Sequence, residues 1–154
     1  MTARLIDVRR YIVVAHRTLG GEHLIEELRR RRAADPQCTF HLIVPEYHAS
    51  KTGWDDLAVH AAAQAALAEM LERMAEIGIG ATGEVGASNP VYAVGQLLNR
   101  EGPESYSGII LSTLPRGISN WWLVGVPSRM ATAYPQLPLT HVVADEVPAG
   151  ASRR

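Results

Sequence analysis

Short apolar runs alternate along the chain with longer stretches in which apolar residues recur at helical spacing. Tyr11-Ile12-Val13-Val14-Ala15 is a β-branched run without polar interruption, the pattern of a strand buried on both faces. Gly20-Gly21 punctuates it. Residues 23–32 then place Leu24, Ile25 and Leu28 on one helical face, and Asp35-Pro36 ends that helix. Residues 39–44 read as a second buried strand stopped by Pro45. Residues 54–77 predict a long alanine-rich helix, with Leu57, Ala61, Leu67, Leu71 and Met74 expected on its apolar stripe. Residues 82–85 lie in a third, weaker strand.

Asn89-Pro90 is the clearest local signal. Asparagine accepts a backbone N–H bond as N-cap, and proline at the first helical position lacks only a hydrogen that would find no partner anyway. A helix is therefore expected from Pro90 to about Asn99, stopped by Gly102-Pro103. Residues 107–111 form a fourth strand, and a loop with Gly117, Trp121 and Trp122 follows. Pro127 reads as the first residue of another helix, ended by Pro135 and Pro138, and residues 139–144 as a fifth strand. Five strands with intervening helices imply βαβ crossovers and a parallel sheet. The predicted architecture is α/β, a three-layer sandwich with helices on both faces of the sheet. Residues 1–147 read as one domain and 148–154 as a loose tail.

Composition narrows the function classes. Of the 154 residues, 47% are hydrophobic and 20% charged, which suits a globular chain with one core. The net charge is −1, so no global basic field favours nucleic acid or an anionic membrane. The run Arg29 to Arg32 reads as the solvated end of a helix, where cations oppose the negative end of the dipole. Cys38 is the single cysteine, which excludes an internal disulfide and suits a reducing, cytoplasmic setting. No run approaches the roughly 18 apolar residues of a membrane span.

Several motifs invite chemistry and are set aside on context. Gly78-Ile-Gly80-Ala-Thr-Gly83 matches the G-x-G-x-x-G string. It lies between a helix and the strand that follows, whereas a dinucleotide loop lies between a strand and the helix that follows. It reads as a helix stop plus a turn. The histidines show no metal-ligand spacing, and His41 and His141 read as core or interface residues inside strands. No catalytic set and no metal site is nominated.

Three stretches in order resemble the universal stress protein family, within the adenine-nucleotide α-hydrolase-like group. Phe40-His41-Leu42-Ile43-Val44-Pro45 is similar to that family's second strand, which often reads Leu-His-Val-Val-x-Pro. Gly86-Ala87-Ser88-Asn89-Pro90-Val91-Tyr92-Ala93-Val94 looks like its Gly-Asp-Pro-x-x-Ala-Ile helix start, with an insertion before the cap. Ser112-Thr113-Leu114-Pro115, nine residues and then Gly125-Val126 follow the spacing of its ligand loop, Gly-x-x-Gly, nine residues, Gly-Ser or Gly-Thr. The resemblance implies strand order 3-2-1-4-5, a ligand crevice between strands one and four, and a homodimer paired through Leu139–Val143. Ser112, Thr113 and Gly125 are the positions carried over. The departures imply that ATP is not held in the family manner. Pro115 offers no N–H, Val126 stands in place of a phosphate-binding hydroxyl, and His16-Arg17 stand where the family has an acidic residue.

The crevice residues can still serve an anion. His16, Arg17 and Thr18 follow strand one, while Ser112, Thr113 and Arg116 follow strand four. The helix starting near Pro127, with Gly125 before it and Ser128 in its first turn, aims N–H groups at the same place. The expectation is a ligand-sensing or regulatory module without catalysis. It has no confidently assigned cofactor, takes a phosphate-bearing ligand weakly, and has no nucleic-acid or membrane partner. One alternative is a nucleotide-binding protein or hydrolase with His16 as acid or base. Another is a structural dimer acting through a protein partner. For each crevice residue taken singly, the plainer reading is that Arg17 and Arg116 are solvated loop arginines and that Ser112 and Ser128 satisfy backbone groups.

Overall fold

The computed structural model describes residues 8–15, 21–46, 56–113 and 125–143. Its strands are β1 (Arg10–Val14), β2 (Thr39–Pro45), β3 (Ala81–Gly86), β4 (Gly108–Thr113) and β5 (Leu139–Val143). Its helices are α1 (Glu22–Ala34), α2 (Asp56–Glu76), α3 (Pro90–Glu101) and α4 (Val126–Ala133), with a 3-10 turn at Pro103–Ser105. The strands form one sheet of order β3-β2-β1-β4-β5. Every pairing is parallel, with Val13 of β1 opposite Leu42 of β2 and Ile110 of β4.

The apolar runs of β1, β2 and β4 occupy the centre because both their faces are covered. Strand alternation sends Val13, Phe40, Leu42, Val44 and Ile110 to one face, where Leu24, Ile25 and Leu28 of α1 and Leu67, Met70 and Met74 of α2 meet them. Ile12, Val14, Ile43, Ile109 and Leu111 point to the other face, against Val94 and Leu97 of α3 and Val126 and Met130 of α4. Two buried layers result, one on each side of the sheet. Glu27, buried on α1, pairs with Arg30 and Arg31. Arg31 also donates to Thr140 Oγ1 at 2.7 Å, tying α1 to the edge strand β5.

The expected stripe of α2 is corrected in part. Leu67 and Met74 are buried and Leu71 is half-buried, but Leu57 is 84% exposed and Ala61 also faces solvent. The buried line is Ala63, Leu67, Met70 and Met74, spaced i, i+4, i+7, i+11. The rotation of the helix is set by its contact with β3. A Cβ at Gly83 would lie only 2.6 Å from Leu67 Cδ1, so the missing side chain at Gly83 is what receives Leu67.

The glycine-rich string thereby has a packing role. Gly78, at φ +80°, closes α2, with its N–H donating to Ala75 O and the Ile79 N–H to Met74 O at 2.9 Å. That pair of bonds is a Schellman stop. Asn89 caps α3 as expected, its Oδ1 accepting from the N–H groups of Val91 at 3.0 Å and Tyr92 at 3.4 Å. Helix α4 starts at Val126, one residue before the expected Pro127, because Gly125 takes the N-cap place in the left-handed conformation. The turn and tryptophans of residues 114–124, and the tail from 144, lie outside the described residues.

Candidate functional site

The chain runs from β1 through β2 to β3 in one direction across the sheet, then returns to the other side of β1 for β4 and β5. The order reverses between β1 and β4, and in such sheets ligands usually bind past the carboxyl ends of the strands at that point. Of the residues expected there, Ser112, Thr113, Gly125 and Ser128 are described; His16, Arg17, Thr18 and Arg116 lie outside the described residues, as does Pro115.

Ser112 and Thr113 end β4, and both are nearly buried. As neighbours in a strand they point to opposite faces, Ser112 with Ile110 and Thr113 with Leu111. Their hydroxyls therefore do not converge on one ligand atom from the same side. Thr113 Oγ1 lies 2.7 Å from His141 Nε2 on β5. His141 is exposed along the sheet edge but tucked against Thr113 on one side, and that partial burial pulls its pKa below the ordinary imidazole value. The pair is thus a cross-strand contact within the sheet.

Gly125 is exposed, with φ +81°, and introduces α4 without a side-chain cap. The first N–H groups of α4 follow it, and Ser128 stands exposed in the first turn. Arg129 joins this corner: a Cβ at Gly125 would sit 3.3 Å from Arg129 Nη1. Sequence reasoning missed Arg129. Its signal was available, because a side chain in the first turns of a helix leans back over the N-terminus. Val126 requires a correction. Its side chain is wholly buried against the α3 and α4 core, not turned to the crevice. The first residue of α4 fills the core, so the corner lacks a hydroxyl there but does not present methyl groups to a ligand.

A second group at the carboxyl edge was also missed. Glu46 follows β2, and its Oε2 lies 2.5 Å from His60 Nδ1 on α2. Gln64 Nε2 donates to His60 Nε2 at 3.2 Å, one turn further along the helix. With Nε2 accepting, Nδ1 carries the proton and donates it to Glu46. Glu46 directly after Pro45 was a visible hint, but its partner depends on the rotation of α2.

His41 sits in the core as expected, far from this edge. Its Nδ1 is 2.7 Å from Thr82 Oγ1 and its Nε2 is 3.0 Å from Glu84 Oε1. Arg100 of α3 donates to the same Glu84 oxygen at 2.6 Å. Burial raises the Glu84 pKa, but the bonds from Arg100 and His41 outweigh it and hold the carboxyl below its ordinary range. Tyr106 closes the network by donating to Glu101 Oε1 at 2.6 Å; burial and that bond push its phenol up to about 12. Among the described residues, no group of three or more His, Cys, Asp or Glu side chains gathers in a way that could hold a metal ion. No helix among them is long and apolar enough to cross a membrane.

No protein-family model matches the chain, and no curated protein matches it. Among solved structures it is similar to a universal stress protein family protein from Arabidopsis thaliana with AMP bound. The TM-score is 0.52 at 12% sequence identity, over 90% of this chain and 93% of that one. At that identity the likeness establishes the fold: a five-stranded parallel sheet of order 3-2-1-4-5 with helices around it, in the arrangement of a universal stress protein.

Proposed function

We propose that the chain is a non-catalytic regulatory module that senses a phosphate-bearing ligand of the adenine-nucleotide class in the crevice past β1 and β4. The observation that carries the reading is the corner at the switch point of the sheet. There a left-handed Gly125, which has no side chain to cap with, opens the N-terminus of α4 beside Arg129. The first N–H groups of a helix and a guanidinium both favour an anion. The AMP of the structurally similar Arabidopsis protein supports the ligand class. Arg17 and Arg116 are proposed to add charge from the flanking loops, and His16, Thr18, Ser112, Thr113 and Ser128 to line the same crevice.

ATP is proposed to bind poorly. The hydroxyl that resemblance leads one to expect at position 126 is absent, and Pro115 removes an N–H donor. Each lost charge-assisted bond costs about 1.5–3 kcal/mol. Two such losses weaken binding about 10²- to 10⁴-fold, at about 1.4 kcal/mol per tenfold. Calorimetry with AMP and with Mg-ATP at physiological salt tests this. The expected results are weak AMP binding, lost on replacing Arg17 and Arg116 together with alanine, and ATP binding no tighter than high micromolar. A low-micromolar ATP constant, or AMP binding unchanged in the double variant, overturns the reading. The module is further proposed to be a homodimer through β5, an edge strand with Val143 45% exposed. Light scattering that shows a monomer across micromolar concentrations refutes that.

One observation favours a second reading. The Glu46–His60 pair is a carboxylate-oriented imidazole at the carboxyl edge of the sheet, and its Nε2 would serve as a general base where a substrate displaces the Gln64 amide. Turnover of ATP or AMP by the pure protein, abolished in His60→Ala, would make the chain a nucleotide hydrolase.

A further inference from the structure

A groove of about 660 Å³ runs between α3 and α4 on the outer side of the helical layer. It extends along α3 from Asn89 at the carboxyl edge of the sheet to Asn99 and Pro103 at the opposite edge. That is about 15 Å of helix at about 1.5 Å per residue. Its size falls within the usual range for small-molecule sites.

The floor is held open by a glycine. Gly95 sits in the middle of α3, where a Cβ would come 2.7 Å from the Tyr134 hydroxyl. With no side chain there, Tyr134 crosses from the end of α4 and donates to Val91 O at 2.6 Å. Tyr92, Gln96 and Asn99 recur at i, i+4 and i+7 and form the outer wall, facing Gln136 beyond α4. All four are exposed. Among the described residues, their side chains make no hydrogen bond, ion pair or ring contact, nor are they among those engaged in other ways.

The chemistry of that wall selects a ligand. Although 20% of the chain is charged, the lining contains no Asp, Glu or Lys. Its one charged side chain, Arg129, carries its guanidinium to the Gly125 corner, where Nη1 lies 3.3 Å from the place of a Gly125 Cβ. A net charge on a ligand would lose hydration there and meet no opposite charge from the wall of Tyr92, Gln96, Asn99 and Gln136. Each carboxamide instead offers donors and an acceptor on one rigid plane, the complement of a hydroxyl that both donates and accepts. Tyr92, 59% exposed, adds an aromatic face for the C–H side of a saturated ring.

We propose that the groove between α3 and α4 binds an uncharged polyhydroxylated ring, held by the carboxamides of Gln96, Asn99 and Gln136 and stacked on Tyr92. Two sources share this chemistry, a free saccharide and the ribose of an uncharged nucleoside. The groove shares Arg129 with the Gly125 corner, but the carboxamides and Tyr92 lie outside that corner, and the proposal does not rest on the function proposed there.

Amide NMR spectra of the full labelled chain, titrated separately with glucose, maltose, adenosine and AMP, test it. Glucose or maltose at millimolar concentrations is expected to shift the amides of residues 91–99 and 134–136, which assigns a free saccharide. Shifts of those amides by adenosine alone assign the nucleoside. Tyr92→Ala and Gln96→Ala alter exposed positions, and their own spectra report whether they fold. Each is expected to weaken binding about tenfold or more, the scale of one lost contact. The proposal is overturned if no probe shifts these amides, if shifts appear only around Thr113 and Gly125, if AMP binds the groove more tightly than adenosine, or if both folded variants bind as the parent does.

Discussion

Replacing Gly83 with alanine probes the contact that sets the position of α2. The new Cβ would lie 2.6 Å from Leu67 Cδ1, 3.2 Å from Leu42 O and 3.3 Å from Leu42 Cβ. Leu67 is 6% exposed and cannot swing into solvent without leaving the core. The Leu42 carbonyl belongs to the central β2 backbone and has little room to retreat. Overpacking of this kind costs about 1–3 kcal/mol. Alanine returns about 0.5–1 kcal/mol by restricting the unfolded chain. Taking the middle of each range, the net loss is about 1.3 kcal/mol, or about 4 °C in Tm at about 3 °C per kcal/mol for a chain of this length. Leu67→Ala alone should lose about 2–5 kcal/mol through the cavity it leaves. In the double variant the Cβ of residue 83 occupies part of that cavity. The double loss should then fall short of the sum by about 1 kcal/mol or more. Thermal and urea unfolding of the four proteins in the cycle measures it. An unchanged or higher Tm for Gly83→Ala, or strict additivity, would refute the packing account of this glycine.

Asn89→Ala removes the side-chain oxygen that accepts from the Val91 and Tyr92 N–H groups at the start of α3. It should cost about 0.5–2 kcal/mol in urea unfolding, whereas Asn89→Ser should recover most of that. Glu84 has a folded pKa below its ordinary value, so it stabilises the fold above the unfolded pKa, and that contribution is lost as pH falls through the folded one. The parent should therefore lose stability as pH drops from about 4.5, and Glu84→Gln, checked by thermal melts across pH, should show a shallower acid limb. An acid limb of equal slope in both proteins would mean that the bonds from Arg100 and His41 do not hold the carboxylate.

Much of this architecture is written in local chemistry. The β-branched runs at 11–15, 39–44 and 107–111 predict strands because both their faces are apolar, and those strands are the ones that lie at the centre of the sheet. Asn89-Pro90 and Gly102 mark both ends of α3, since capping and backbone freedom act within a few residues. Crossovers between parallel strands follow from the alternation itself. What remained undecided is whatever depends on a partner distant in sequence. The buried line of α2 was misread by half a turn at its start because an alanine-rich helix has weak amphipathicity, and Leu67 finds its place only against Gly83. Val126 looked like a crevice residue by its spacing, yet α4 needs an apolar side chain there to seal the core, so it turns inward. Ser112 and Thr113 are adjacent in sequence, but the pleat parts their hydroxyls, and Thr113 meets His141 only because β5 lies beside β4. Glu46 and His60, and the groove between α3 and α4, exist only once helices are packed on the sheet. Local sequence sets the elements because their forces are local, while the site is decided by the angles and phases at which those elements meet.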